Sequence, residues 1–280
     1  MVKRTTKQLV TLSAAVLIGL AGTVGKPYIK EHTQGIQNYL NSKLAPVKAK
    51  LANNTQQSAI TPQTASKASE GLQEQKPLSY TGHKQFVMSA TDQYGRAVDS
   101  HIQLQASDEP GHNGQSRAPL TYNPVGWHNY KLSYDDNGKT GKAWLFDRGH
   151  LVGYQFSGVN DEPRNLVPET SQLNKGNIAH MDSGNDKAML FYENRLDSWL
   201  ELHPNYFLDY QVTPIYTGSE LLPRQVRLAY VGVDSKGNHL QIKLGGSLEE
   251  QGNDDATVVV LDNVSSNATI DYATGMATQK

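Results

Sequence analysis

Hydrophobic and polar positions change their rhythm three times along the chain. Between Gln8 and Gly25 no charge interrupts a run rich in Leu, Val, Ala and Ile, whose apolar heart, Leu9 to Val24, is 16 residues long. From Lys26 to Tyr80 the apolar residues thin out and Gln, Ser, Thr, Ala, Asn and Lys take over, a composition that cannot bury enough surface to fold alone. Beyond Tyr80 the pattern predicts mostly strands. Ala97 to Gln105 ends in His-Ile-Gln-Leu-Gln, an alternation of period two that suits a half-buried strand. Val226 to Val233 and Leu240 to Leu244 flank Asp234-Ser-Lys-Gly-Asn238, a hairpin signal, and Thr257 to Leu261 is a further short apolar strand. One helix is clear, Asp186 to Leu202, with Met189, Tyr192, Leu196, Trp199 and Leu200 at helical spacing and Pro204 as its stop. Strands with inserted helices give an α+β class, built on a mostly antiparallel sheet.

Three segments follow: residues 1–25, an export signal or N-terminal anchor; 26–80, a polar tether with a short helix near Gln34 to Leu51; and 81–280, the globular domain. Lys3, Arg4 and Lys7 ahead of the apolar run make the export reading. The run is shorter than the roughly 20 residues of a comfortable membrane span, and Ala21-Gly22-Thr23 is a weak cleavage site, so secretion and anchoring both stay open. Either outcome places the domain outside the cytoplasm. The Asn-x-Ser/Thr triplets at Asn53, Asn263 and Asn267 are as consistent with chance as with glycosylation.

Charge and cysteine content narrow the chemistry. The chain of 280 residues has net charge −1 and no Cys, which excludes thiolate zinc sites, thiol nucleophiles and a disulfide framework. Residues 1–80 hold ten Lys/Arg against three Asp/Glu, and 81–280 hold 16 against 24. An acidic domain argues against a static nucleic-acid clamp, but not against an enzyme that needs only a local cationic strip and a metal ion.

The chemistry-bearing residues cluster in two motifs. Lys142 to Phe146 reads as a strand running into Asp147-Arg148-Gly149-His150, and a loop, Asn165-Leu-Val-Pro-Glu-Thr-Ser-Gln-Leu-Asn174, follows before a helical stretch. Phosphodiester hydrolysis needs a base to activate water, a Lewis acid and charge on the phosphate. His150 suits the first, the amide oxygen of Asn174 suits a hard cation such as Mg²⁺, and Arg148 offers a planar fork to phosphate. Each has a plain alternative: Asn174 as a helix cap, Arg148 as an ion-pair partner of Asp147 or another acid, and Glu193 as a surface partner of Arg195 or Lys187. Gly138-Lys139-Thr140 lacks the first Gly of a phosphate loop and reads as a turn. Trp127, Tyr130 and Tyr134 suit core packing more than base stacking.

On these two motifs the sequence resembles the DNA/RNA non-specific endonucleases of the ββα-metal (His-Me finger) type, particularly the DNA-entry and secreted nucleases of Gram-positive bacteria. More diffuse similarity includes Asn-Pro-Val-Gly-Trp at 123–127 and Ile-Asp-Tyr-Ala-Thr-Gly at 270–275. The resemblance implies an active site on a ββα-metal motif, with His150 as general base, Asn174 as the single protein ligand of Mg²⁺ (or Mn²⁺), Arg148 on the phosphate and Asn165 organising the site. Glu193, on the apolar stripe of the predicted helix, matches an acid that contacts the metal's water. Arg195 follows it by two, where the family has an Arg four later and this chain has Asp197. The substrates implied are DNA and RNA, cut to 5′-phosphate ends without sequence preference; no protein partner is inferable, and a membrane contact arises only through an uncleaved N-terminus. The rival class is a surface nucleic-acid-binding or adhesion protein with a decayed site.

Overall fold

The longest strands of the domain lie side by side and set everything else. In the computed structural model, which describes residues 76–110, 117–136 and 138–280, β7 (Phe207–Ile215) and β8 (Gln225–Val233) pair over nine residues each, with Tyr210 opposite Tyr230. Around them an antiparallel seven-stranded sheet runs β1-β2-β7-β8-β11-β10, from β1 (Gln85–Met88) and β2 (Ser100–Leu104) to β11 (Thr257–Asp262) and β10 (Glu250–Gln251), with β9 (His239–Leu240) on β8. The export segment, the tether up to residue 75 and the helix expected near 34–51 lie outside the described residues. Among those residues no helix is long and apolar enough to cross a membrane.

One face of this sheet meets the main helix. Period two along β7 sends Leu208, Tyr210 and Val212 to the same side, joined by Ile102 and Leu104 of β2 and by Leu228 and Tyr230 of β8. Against them packs the stripe Met189, Tyr192, Leu196 and Leu200 of the helix Met189–Leu202. Full burial of each such side chain stabilises by roughly 1.5–3 kcal/mol. That helix starts later than the periodicity predicts. Asn185 accepts the Lys187 amide, and Asp186 accepts the Ser247 amide, so the first residues of the expected helix serve a turn instead. Its end is as expected: His203 caps it just ahead of Pro204.

The expected half-buried strand is buried on both faces. All five residues of β2 are buried, because the polar side of the sheet carries its own network. His101 Nε2 lies 2.6 Å from Asp209, Gln103 donates to the same carboxylate, and the Leu78 amide adds a third bond. The second hairpin arm is likewise shorter than expected. After Leu240 the chain leaves the ladder, Ile242 turns into the core, and its carbonyl accepts the Thr257 hydroxyl.

Smaller ribbons flank the sheet: β3 (Lys131–Asp136) with β4 (Lys139–Trp144), β5 (Phe146–His150) with β6 (Leu166–Thr170), and β12 (Ala268–Asp271) with β13 (Met276–Gln279). Gly138, at positive φ, sits in the β3–β4 turn, so Gly-Lys-Thr is hairpin and not phosphate loop. Asn263 is fully buried and its side chain bonds Thr170, Pro168 and Pro223, which removes it as a glycosylation site. Among the described residues the α-helices are α1 (Tyr154–Ser157), α2 (Ser171–Lys175) and α3 (Met189–Leu202).

Candidate active site

The two sequence motifs form one ribbon. The first is not the sequel to a strand but strand β5 itself, since Leu145 breaks the run from β4; the second is not a loop but β6 followed by α2. They pair antiparallel, Asp147 opposite Glu169 and His150 opposite Leu166, so β5, β6 and α2 make a ββα unit. Pro168 hid β6 from the sequence reading, yet a two-stranded ribbon tolerates a residue without an N–H. Thr170 starts α2, its hydroxyl oxygen accepting the Leu173 amide at 3.0 Å. Thr170 is therefore the cap, and Asn174 is free of that duty.

A cavity of about 620 Å³ opens over this unit, lined by Arg148, His150, Asn174 and Glu193 among others. His150 Nε2 lies 2.7 Å from the carbonyl of Asn160. A carbonyl only accepts, so Nε2 carries the proton and Nδ1 keeps its lone pair. Nδ1 faces the Arg117 guanidinium at 3.4 Å. Burial holds the His150 pKa below its ordinary 6.5, and the Arg117 charge acts in the same direction against the raising effects of Asn160 and Asp161. The Asn160 carbonyl is itself fixed, because Asp161 accepts the amides of Thr121 and Tyr122.

Arg148 has no ion pair among the described residues; its Nε donates to Asn123 at 2.8 Å, one amino group donates to Leu120, and its plane lies 4.4 Å from the Trp127 ring centre. Asp147 pairs instead with Lys175 and accepts the Asn174 amide nitrogen at 3.1 Å, which fixes the amide's orientation. Glu193 is buried in the wall of the cavity and not on the surface beside Arg195 or Lys187. It accepts from Gln155 and the Gly153 amide, and burial nevertheless raises its pKa to about 7. Asn165 stands apart from the other predicted residues. Its amide brackets Val152, Oδ1 accepting at 3.0 Å and Nδ2 donating at 2.9 Å, so it shapes the turn after His150 without lining the cavity. Arg195 is also outside, donating to the carbonyls of Ser183 and Phe191.

The sequence model of the DNA/RNA non-specific endonuclease family matches residues 77–233. The chain belongs to the DNA/RNA non-specific endonucleases. It is similar to a solved extracellular nuclease at 41% identity, covering 73% of this chain and 98% of that one with a TM-score of 0.60. To an extracellular endonuclease the identity is 43%, over 72% and 90% of the two chains, with a TM-score of 0.61. NucA from Streptococcus agalactiae, solved with a magnesium ion bound, shares the fold at 21% identity and a TM-score of 0.50, over 72% and 79%. No curated protein matches the chain. The α+β fold and the ββα unit are those of this nuclease type.

Two residues of the endonuclease's site carried no signal that sequence reading could use. Arg117 belongs to no motif; only the fold brings it to His150, where it also donates to Asn160 Oδ1 at 2.7 Å and lies over the Tyr154 ring. Glu169 was inside a motif without a role. It is fully buried, and among the described residues neither of its carboxyl oxygens meets a hydrogen-bond partner. Burial, with Glu193 and Asp147 nearby, raises its pKa well above the carboxylate range. A Cβ on Gly149 would overlap this carboxyl, which is why the motif has glycine there.

These residues fit a hard divalent cation. Asn174 has its nitrogen engaged on Asp147, which leaves its oxygen as the donor, and the orphaned carboxyl of Glu169 sits close enough to Glu193 and Asp147 for their charges to add to the effect of its burial. Among the described residues no cluster of three or more His, Cys, Asp or Glu is arranged to cage a metal. One amide oxygen with carboxylates held behind it is the donor set of a cation that keeps most of its waters.

Proposed function

We propose that the endonuclease hydrolyses DNA and RNA without sequence preference, with His150 as general base and Asn174 as the ligand of a catalytic Mg²⁺. The observation that carries this reading is the fixed tautomer of His150: Nε2 is spent on Asn160, so the basic Nδ1 faces the cavity that Asn174 and two guanidinium groups share. Nδ1 removes a proton from water as its oxygen attacks phosphorus. The bond from phosphorus to the 3′ oxygen then breaks, leaving the phosphate on the 5′ end. Arg117 and Arg148 hold the nonbridging oxygens and offset the charge that builds in the transition state. Asn165 keeps the turn after His150 in place, and Glu193 would accept hydrogen bonds from water held by a cation at Asn174. When bound, Mg²⁺ supplies Lewis-acid stabilisation of the phosphoryl and leaving oxygens. The magnesium ion of the Streptococcus agalactiae NucA supports this choice of metal.

We also place the catalytic domain at 81–280 outside the cytoplasm, delivered by residues 1–25 and spaced by 26–80. The extracellular names of the two relatives above 40% identity support export. The test is direct: purified full-length chain is incubated with plasmid and with RNA, in Mg²⁺ or in EDTA. Cutting of both that EDTA abolishes is expected. A protein that cuts neither with any divalent ion would overturn the catalytic assignment.

A further inference from the structure

The outward face of the β3–β4 ribbon holds a group that phosphodiester chemistry does not use. In register, Lys131 faces Trp144 and Ser133 faces Lys142, and these residues share the ribbon's solvent side. The opposite side carries Leu132, which packs into a core cluster with Leu145 and Phe146. A solvent side of this kind is ordinarily polar, and here it is polar except at Trp144. That indole is 46% exposed, yet it stands at the catalytic end of the ribbon and lines the active-site cavity. The Lys131 ammonium lies 5.4 Å from its ring centre. The same rim continues through Met181, 68% exposed, and Lys175. Trp127, by contrast, lies against Arg148, and Trp199 stacks on His203. Trp144 therefore keeps aromatic surface available at the cavity mouth, on a ribbon that also presents lysines.

Exposed aromatics beside flexible cations are how proteins hold single strands: bases stack on the ring while ammonium groups follow the phosphates. We propose that this face is a nucleotide subsite, with Trp144 stacking a base next to the scissile bond and Lys131 and Lys142 on the adjoining phosphates, so that strands with unstacked bases bind in preference to closed duplex. The inference rests on the catalytic assignment of the adjoining cavity. The competing role for Trp144 is to cover the aliphatic stem of Lys131.

The test uses full-length protein in EDTA and two labelled single strands of equal length, oligothymidylate and an abasic counterpart, followed by fluorescence anisotropy. Wild-type protein should bind the strand with bases about tenfold more tightly, the size expected of one stacked base. Trp144→Ala should bind both strands alike, Trp144→Phe should keep most of the preference, and Lys131→Ala should weaken both strands equally. A Trp144→Ala protein that retains the preference, or that loses affinity for both strands equally, overturns the subsite. Should that variant not fold, Trp144→Lys serves, with the same two outcomes. Plasmid cutting by wild-type protein in Mg²⁺ separates the two readings. A protein that cuts plasmid but shows no base preference loses the subsite alone, and one that cuts nothing loses the catalytic assignment.

Discussion

The carbonyl of Asn160 decides which nitrogen of His150 is basic, and burial decides over what pH range it stays so. His150→Ala should lower turnover by roughly 10² to 10⁴ fold, the contribution of a positioned base, with the fold retained by circular dichroism. Because the pKa is held below 6.5, the wild-type rate should persist to somewhat lower pH than an exposed histidine would allow, then fall as the ring protonates. A pH profile with no such acid limb would remove His150 as the base. Glu193 titrates in the opposite sense. Its native pKa of about 7 exceeds the ordinary 4.5, so the native state holds its proton more tightly, and stability is lost as pH rises through 7. Glu193→Gln should accordingly raise Tm in EDTA at pH 8, by up to about 3 kcal/mol in stability, and change it little at pH 5. Equal gains at both pH values would show that the effect is packing and not charge.

At the scale of elements, the position of Asn174, the proposed metal ligand, depends on a very short helix. α2 spans Ser171–Lys175, held at its start by Thr170, whose hydroxyl also donates to the Val264 carbonyl, and by Asn263 on the Thr170 amide. Thr170→Ala should cost about 0.5–2 kcal/mol, the usual loss of a cap, and should raise the Mg²⁺ concentration needed for half-maximal rate. Asn174→Ala should raise that concentration further while leaving stability nearly unchanged. Metal dependence unaltered by Asn174→Ala would exclude it as the ligand. Elements of this kind show where sequence runs out. The α3 stripe, the hairpin at Asp234–Asn238 and both motifs were legible, because periodicity and turn residues are local. The strand state of 147–150 and of 166–170 was not, since it exists only through their mutual pairing. Nor was Arg117, which reaches His150 by a loop contact that no local pattern encodes. Burial of β2 on both faces came from the distant Asp209, and the late start of α3 came from Ser247, two partners equally invisible along the chain.

Over residues 81–280 as a whole, acidic residues outnumber basic ones by 24 to 16, while the groups lining the cavity include Arg117, Arg148 and Lys175. Long-range attraction for a polyanion is therefore weak, and capture relies on a short cationic strip. KM should rise with salt, and with about two to four phosphate contacts its slope against log salt should stay correspondingly shallow. A slope near ten would reveal a much larger footprint.

The contact between Gly149 and Glu169 has a consequence for how such a site changes over generations. One position is glycine because the other fills the space where its side chain would lie. Neither can drift alone: Gly149→Ala must displace a buried carboxyl, and a smaller residue at 169 leaves a void beside Gly149. Residues in the two motifs thus form one heritable unit, and alanine at 149 should be tolerated only in lineages or libraries that have already shortened residue 169.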